Sequence, residues 1–210
     1  AGCSPMPLTI RDGPTVSTDK GADPAVVMRE LSRQLPDRSV LTSDAGNFFT
    51  WAQRYGSFTH PGTFLGPISG AMGYAVPSAV AAAIVNDSAV PSVALSGDGG
   101  FLMTANELAT AAQRNLRVIC VVFNNGIYGT IRTHQEREFP GRVSGTDLWT
   151  PDLVKFAEAF GGIGLRVEQN SQAAGAVAAA IEHPGITVLE VVVDPENISA
   201  GTSMSSIAKR

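Results

Sequence analysis

Charge is scarce in this chain. Of its 210 residues, 16% are charged, against roughly 25% in an average domain. Few charges leave little surface that must stay wet, so a large core and a face covered by a partner are both expected. The net charge is −4 with no basic cluster set against it. That removes the electrostatic case for nucleic acid or an anionic membrane surface as a partner. The two cysteines, Cys3 and Cys120, make no disulfide framework, and Cys120 reads as a small buried residue of an apolar strand. No run of about 18 apolar residues occurs, so no membrane-spanning helix is predicted. The start Ala1-Gly2-Cys3-Ser4-Pro5 lacks a basic stretch followed by an apolar one and does not read as a signal peptide. The expected location is cytoplasmic. The absent initiator Met suggests a processed or excised piece of something longer.

What the chain has is alternation. Residues 1–22 are rich in Pro, Gly, Ser, Thr and Asp without periodicity and read as a linker or arm, with one domain over 23–210. Asp23-Pro24 supplies an N-cap and a first-turn proline to a helix whose stripe is Val26, Val27, Leu31 and Leu35 and which stops before Pro36. Strands are predicted at 39–42, 91–96, 118–123, 165–167 and 186–193, the last central or near-central. Helices are predicted at 48–55, 71–85, 104–114, around 128–136, at 152–160 and at 171–183. Strand and helix in turn predict an α/β fold: a doubly wound, mainly parallel sheet with helices on both faces.

Two of the predicted strands run into short polar turns. Pro91–Ser96 leads into Gly97-Asp98-Gly99-Gly100, and Val118–Phe123 leads into Asn124-Asn125-Gly126. Asp98 and Asn125 thus lie 27 positions apart, each just past the carboxyl end of a strand. In an open parallel sheet, that edge is where ligands bind. A carboxylate and an amide oxygen are hard ligands that suit Mg²⁺, which commonly takes one or two protein oxygens plus phosphate and water. The neighbouring glycines allow backbone N–H groups to approach a phosphate closely. Gly-Asp alone is ordinary turn chemistry.

The order Gly97-Asp98-Gly99, helix, strand, Asn124-Asn125, preceded by Gly66-Pro67-Ile68-Ser69-Gly70-Ala71-Met72-Gly73-Tyr74, resembles the thiamine diphosphate signature. The resemblance is to the pyrophosphate-binding domain of the acetolactate synthase and pyruvate decarboxylase superfamily and covers about residues 23 to 200. It implies thiamine diphosphate and Mg²⁺ as cofactors. The metal ligands would be Asp98, Asn125 and the backbone carbonyl of Ile127. Gly97, Gly99, Gly100, Tyr128, Gly129 and Thr130 would face the diphosphate. The carbonyl of Gly70 would hold the aminopyrimidine, and Met72 would prop the cofactor into its bent shape. Ala45, Gly46, Asn47 and Phe48 align with a first phosphate-side loop, with Trp51 matching a tryptophan common after it. Asp44 fits that loop or a plain helix cap.

The same resemblance implies an acetolactate synthase-like lyase or transferase that decarboxylates a small 2-keto acid and ligates the product. Met72, Thr130, Ile131 and His134 would be its pocket residues here. His134 stands where acetolactate synthases carry a tryptophan, and a surface histidine is the alternative. Arg132, Gln135, Glu136 and Arg137 read as a solvated face. The glutamate that activates the cofactor belongs to a pyrimidine-binding domain of the same or another subunit. That domain is expected as the partner, in a homo-oligomer, and this chain alone is expected to be inactive. Three rivals remain: a non-catalytic interaction domain whose Gly-Asp-Gly is incidental, one subunit of a natural two-chain enzyme, and a Rossmann-type nucleotide-binding module. The last requires Gly-x-Gly-x-x-Gly after the first strand, where Asp44-Ala45-Gly46-Asn47 stands instead.

Overall fold

The computed structural model describes residues 20–58 and 60–208. Six strands form one sheet: β1 (Val40–Ser43), β2 (Phe64–Leu65), β3 (Ser92–Gly97), β4 (Val118–Asn124), β5 (Ile163–Val167) and β6 (Ile186–Val192). Their order is β2-β1-β3-β4-β6-β5, and every pairing is parallel. The chain steps outward from β1 to β2, then returns to place β3 on the other side of β1. That reversal opens a crevice between β1 and β3 at the carboxyl edge, where such sheets bind ligands. The predicted fold class is borne out.

Side-chain alternation explains why both faces are covered. Along β4, Ile119, Val121 and Phe123 enter one core while Val118, Cys120 and Val122 enter the other. A strand with apolar residues at both parities can only sit between two helical layers. The first layer is α1 (Pro24–Gln34), α2 (Phe49–Tyr55) and α8 (Ala173–Glu182), the second α3 (Ala75–Val85), α4 (Asp98–Thr104), α5 (Leu108–Gln113) and α7 (Leu153–Ala159). The remaining helix of the carboxyl edge, α6, covers Gly129–Glu138. The Cys120 thiol is buried, which pushes its pKa up to about 12, the Asp44 charge adding to the shift. Among the described residues no helix is long and apolar enough to cross a membrane.

The cap predicted at α1 is formed, the Asp23 carboxylate accepting from the Ala25 N–H at 2.9 Å; α7 is capped by Asp152. Two helix starts differ. Residues 71–74 are not helical: Gly73 has φ +77°, and the first N–H of α3, at Ala75, is captured by Asp44 from the end of β1 at 2.7 Å. The helix predicted from Thr104 begins instead at Asp98, passes through a 3-10 turn at Ala105–Glu107 and resumes as α5. The glycines that suggested a turn are tolerated in its first turn by close packing, described below.

Beyond β6, a hairpin of β7 (Asn197–Ser199) and β8 (Thr202–Ser203) and a final helix, α9 (Met204–Ala208), follow the last predicted strand. The arm predicted over 1–22 lies outside the described residues up to position 19, and with it Cys3. Its last residues dock on the domain: Ala22 is buried and donates to the Val192 carbonyl at 2.8 Å.

Two glycines separate packing from propensity. A Cβ on Gly164 would stand 2.3 Å from the Val154 Cα, because α7 crosses β5 at backbone contact. Gly175 lies on the exposed side of α8 with nothing near such a Cβ. Gly164→Ala should cost about 1–3 kcal/mol or more through overpacking. Gly175→Ala should stabilise by about 0.5–1 kcal/mol through helix propensity. Urea denaturation midpoints moving in opposite directions check both.

Candidate cofactor site

A cavity of about 250 Å³ opens at the carboxyl edge of the sheet. It is somewhat smaller than the roughly 300–1,000 Å³ typical of small-molecule clefts. Its walls come from the ends of β1, β3, β4 and β6 and from the loop before α3. Ala45, Gly46, Asn47 and Phe48 follow β1, with Trp51 one helical turn on. Gly97, Asp98, Gly99 and Gly100 follow β3. Asn125, Ile127, Tyr128, Gly129, Thr130 and Ile131 follow β4, where Phe123 also reaches in. Gly70 and Met72 stand on the loop before α3. Of the residues singled out from the sequence for the site, His134 and Asp44 do not line this cavity; His134 is exposed on α6.

Asp98 is the centre of the arrangement. It is 3% exposed at the first position of α4. One carboxylate oxygen accepts from the Gly99 N–H at 2.9 Å. The other accepts from the Gly126 N–H at 2.9 Å and from the Thr150 hydroxyl at 3.4 Å. The loops after β3 and β4 are therefore joined through one carboxylate. Burial raises its pKa above the ordinary value of 3.8, and the three donors only partly oppose that. A buried carboxylate that resists ionisation is one that a cation would stabilise.

The Asn125–Ile127 turn is held from several sides. The Asn125 side-chain oxygen accepts from the Ile127 N–H at 3.2 Å. Gly126 has φ +68°, a conformation that favours glycine. On either side of Ile127, the Gly126 carbonyl accepts from the Leu148 N–H at 2.8 Å and the Tyr128 N–H donates to the Thr146 carbonyl at 2.9 Å. Loop 146–148 thus fastens the Ile127 peptide. Arg132 anchors that loop through Thr146 and Asp147, and Gln135 holds Ser144. The charged stretch read as a solvated face is in part a clamp on this loop.

Across the cavity, Asn47 links two walls. Its amide donates to the Thr133 hydroxyl at 3.2 Å, and its oxygen accepts from the Thr130 hydroxyl at 3.1 Å. Glycines set the close approaches. A Cβ on Gly99 would meet the Tyr128 ring at 2.6 Å, and one on Gly129 would meet the Ile198 side chain at 2.8 Å. Val193 and Ile198 line the cavity from the segment after β6. Sequence reading missed both, because the turn signal Asp194-Pro195 marks a reversal and not a return to the site.

The oxygen donors suit a small hard cation. Among the described residues no cluster of three or more His, Cys, Asp or Glu could hold a metal alone. One carboxylate, one amide oxygen and backbone carbonyls would leave further positions to a ligand's own oxygens, the pattern Mg²⁺ favours.

Of the two readings of Asp44, the structure shows a helix cap, at α3. It is buried, one of its oxygens caps α3, and the other has no hydrogen-bond partner. That oxygen lies 2.3 Å from where a Cβ on Gly100 would stand. Gly100→Ala should therefore cost about 1–3 kcal/mol by overpacking. In an Asp44→Ala background the same change should cost less, because neighbours couple. A double-mutant cycle from chemical denaturation measures the difference.

Comparison with known proteins agrees with this geometry. Residues 44–191 match the family described as "Thiamine pyrophosphate enzyme, C-terminal TPP binding domain". The acetolactate synthase of Bacillus subtilis (strain 168) is 33% identical over 191 residues, which is 88% of this chain and 33% of that protein. The acetolactate synthase isozyme 2 large subunit of Escherichia coli (strain K12) is 32% identical over 178 residues, 82% of this chain and 32% of that protein. Among solved structures, the thiamine diphosphate-dependent 4-hydroxybenzoylformate decarboxylase of Rhodococcus jostii RHA1 superposes with a TM-score of 0.80 at 26% identity. It covers 92% of this chain and 37% of that one. Benzoylformate decarboxylase from Polynucleobacter necessarius gives 0.77 at 30% identity, over 88% of this chain and 36% of that one. The chain spans about a third of the length of these relatives. It belongs to the thiamine pyrophosphate enzyme family, and what it carries is that family's C-terminal cofactor-binding domain.

Proposed function

We propose that this chain holds the diphosphate of thiamine diphosphate, through Mg²⁺, in an acetolactate synthase-like enzyme that decarboxylates a small 2-keto acid and ligates the product. The observation that carries the reading is the pairing of the Asp98 carboxylate with the Gly126 N–H at 2.9 Å, which unites the two loops at the cavity. The likeness to acetolactate synthases and to two benzoylformate-type decarboxylases supports 2-keto acids as the substrate class. In this reading Asp98, Asn125 and the Ile127 carbonyl bind the cation. Gly97, Gly99, Gly100, Tyr128, Gly129 and Thr130 surround the diphosphate, and Ala45, Gly46, Asn47 and Phe48 close the first phosphate-side wall. Gly70 and Met72 orient the pyrimidine and bend the cofactor, with Thr130 and Ile131 toward the substrate.

Thiamine diphosphate, when bound, supplies the carbanion-stabilising ring. This chain's part is to bind and orient it. The activating glutamate is assigned to a pyrimidine-binding domain of the same or another subunit, within a cytoplasmic homo-oligomer. The exposed apolar rim supports such a partner: Met72 is 40% exposed, Ile131 54%, and Ile68 fully so. Contiguous apolar surface usually marks an interaction site.

Calorimetric titration of thiamine diphosphate with Mg²⁺ into the intact protein tests the reading. Asp98→Ala should remove Mg²⁺-dependent binding while circular dichroism stays unchanged; unaltered affinity refutes the metal role. Because a cation needs the ionised carboxylate, and burial holds the Asp98 pKa above 3.8, Mg²⁺ affinity should fall with decreasing pH sooner than for an ordinary aspartate. Titrations at stepped pH read that onset. The isolated chain, given pyruvate, cofactor and Mg²⁺, should turn over no faster than free cofactor.

A further inference from the structure

One charged side chain interrupts the apolar run of β6. Glu190 lies in Ile186–Val192, where six of seven residues are buried, and is itself 4% exposed. A carboxylate in such a place is costly unless both oxygens find donors, and here both do. One accepts from the Arg166 Nε at 2.7 Å. The other accepts from the Asn124 side-chain amide, also at 2.7 Å. Arg166 lies directly opposite on the neighbouring strand β5 and also reaches Asp152, the N-cap of α7, at 3.2 Å.

A staple between β5 and β6 would need Arg166 alone. The second oxygen is committed to Asn124, and that commitment has a consequence for the cavity. An ionised carboxylate only accepts, so the NH₂ end of the Asn124 amide must face Glu190. Its oxygen is then turned the other way. There it accepts from the Gly126 N–H at 3.2 Å and lies 3.5 Å from the Thr150 hydroxyl. Those two donors are the ones that also reach Asp98. One hydrogen-bonded path therefore runs from β5 through Glu190 and Asn124 to the turn that carries Asn125 and Ile127.

We propose that Glu190 is a positioning residue for the cation site: it dictates the orientation of the Asn124 amide and thereby holds the 124–127 turn in register with Asp98. The proposal rests on reading the cavity as the thiamine diphosphate–Mg²⁺ site. In Glu190→Gln the shape is kept, but an amide can donate as well as accept, so the Asn124 side chain is free to flip. The shared Gly126 N–H then loses its second acceptor, and the turn one of the two side-chain acceptors that hold it beside Asp98.

The test is the Mg²⁺ concentration that half-saturates the intact protein at fixed thiamine diphosphate, read by calorimetry, with Mn²⁺ binding by electron paramagnetic resonance as a second readout. Glu190→Gln should raise it about tenfold or more, the scale on which outer partners of metal ligands act. Asn124→Ala leaves the Glu190–Arg166 pair in place and should raise it similarly, so it decides the matter if Glu190→Gln fails to fold. The double variant should be no worse than the poorer single one, because both act on one path. Unchanged half-saturation in either folded single variant, or additive losses in the double, overturns the proposal and leaves Glu190 a strand staple. Absence of Mg²⁺ dependence in the unsubstituted protein would instead remove the reading of the cavity, and this inference with it.

Discussion

A parallel sheet buried on both faces has almost nowhere to be polar except at its ends. That constraint organises this molecule. Helical layers cover the two faces, and the strands that run between them are apolar at both parities. Hydrogen-bonding chemistry is pushed to the carboxyl edge, where the loops after β1, β3 and β4 converge. The reversal of strand order between β1 and β3 leaves a crevice there that no crossover helix fills. Asp98, first residue of α4, sits at the mouth of that crevice with both oxygens engaged.

Glycine makes the crevice possible by leaving room for neighbouring side chains. Gly99 admits the Tyr128 ring and Gly100 admits the Asp44 carboxylate. Gly97-Asp98-Gly99-Gly100 is thus a strand end running straight into a helix whose first turn must be thin. Asp44 then reaches past Gly100 to cap α3, so the ends of β1 and β3 and the start of α3 are bound into one corner. The same economy of space recurs at Gly164, where α7 lies on β5 at backbone distance.

The polar residues of the carboxyl edge form connected groups. Arg166, Glu190 and Asn124 lead to Gly126 and Asp98; Asn47 bridges Thr130 and Thr133; Arg132 and Gln135 secure the loop that pairs with Ile127. A site assembled from loops gains its stiffness from such links, since the loops contribute little burial of their own. Met72 and Ile131, by contrast, are apolar and largely exposed.

The alternation of strands and helices, the doubly wound class and the family were legible from sequence. They rest on local signals: apolar runs at strand length, the Asp23-Pro24 cap, and turns at strand ends. Asp98 and Asn125 stood out for the same reason, each being polar immediately after an apolar run. Tertiary structure alone decided the start of α3, because its cap is donated by Asp44 from another strand. It decided that α4 begins at Asp98, because glycine signals a turn until the ring and carboxylate that need its missing Cβ are in place. It brought Val193 and Ile198 to the cavity and left His134 outside. It also gave Glu190 its neighbours: in sequence a lone acid in an apolar strand, in space a carboxylate between Arg166 and Asn124. Periodicity reports which face a residue takes, whereas its partners across that face come from chain segments tens of residues away, and only packing brings them together.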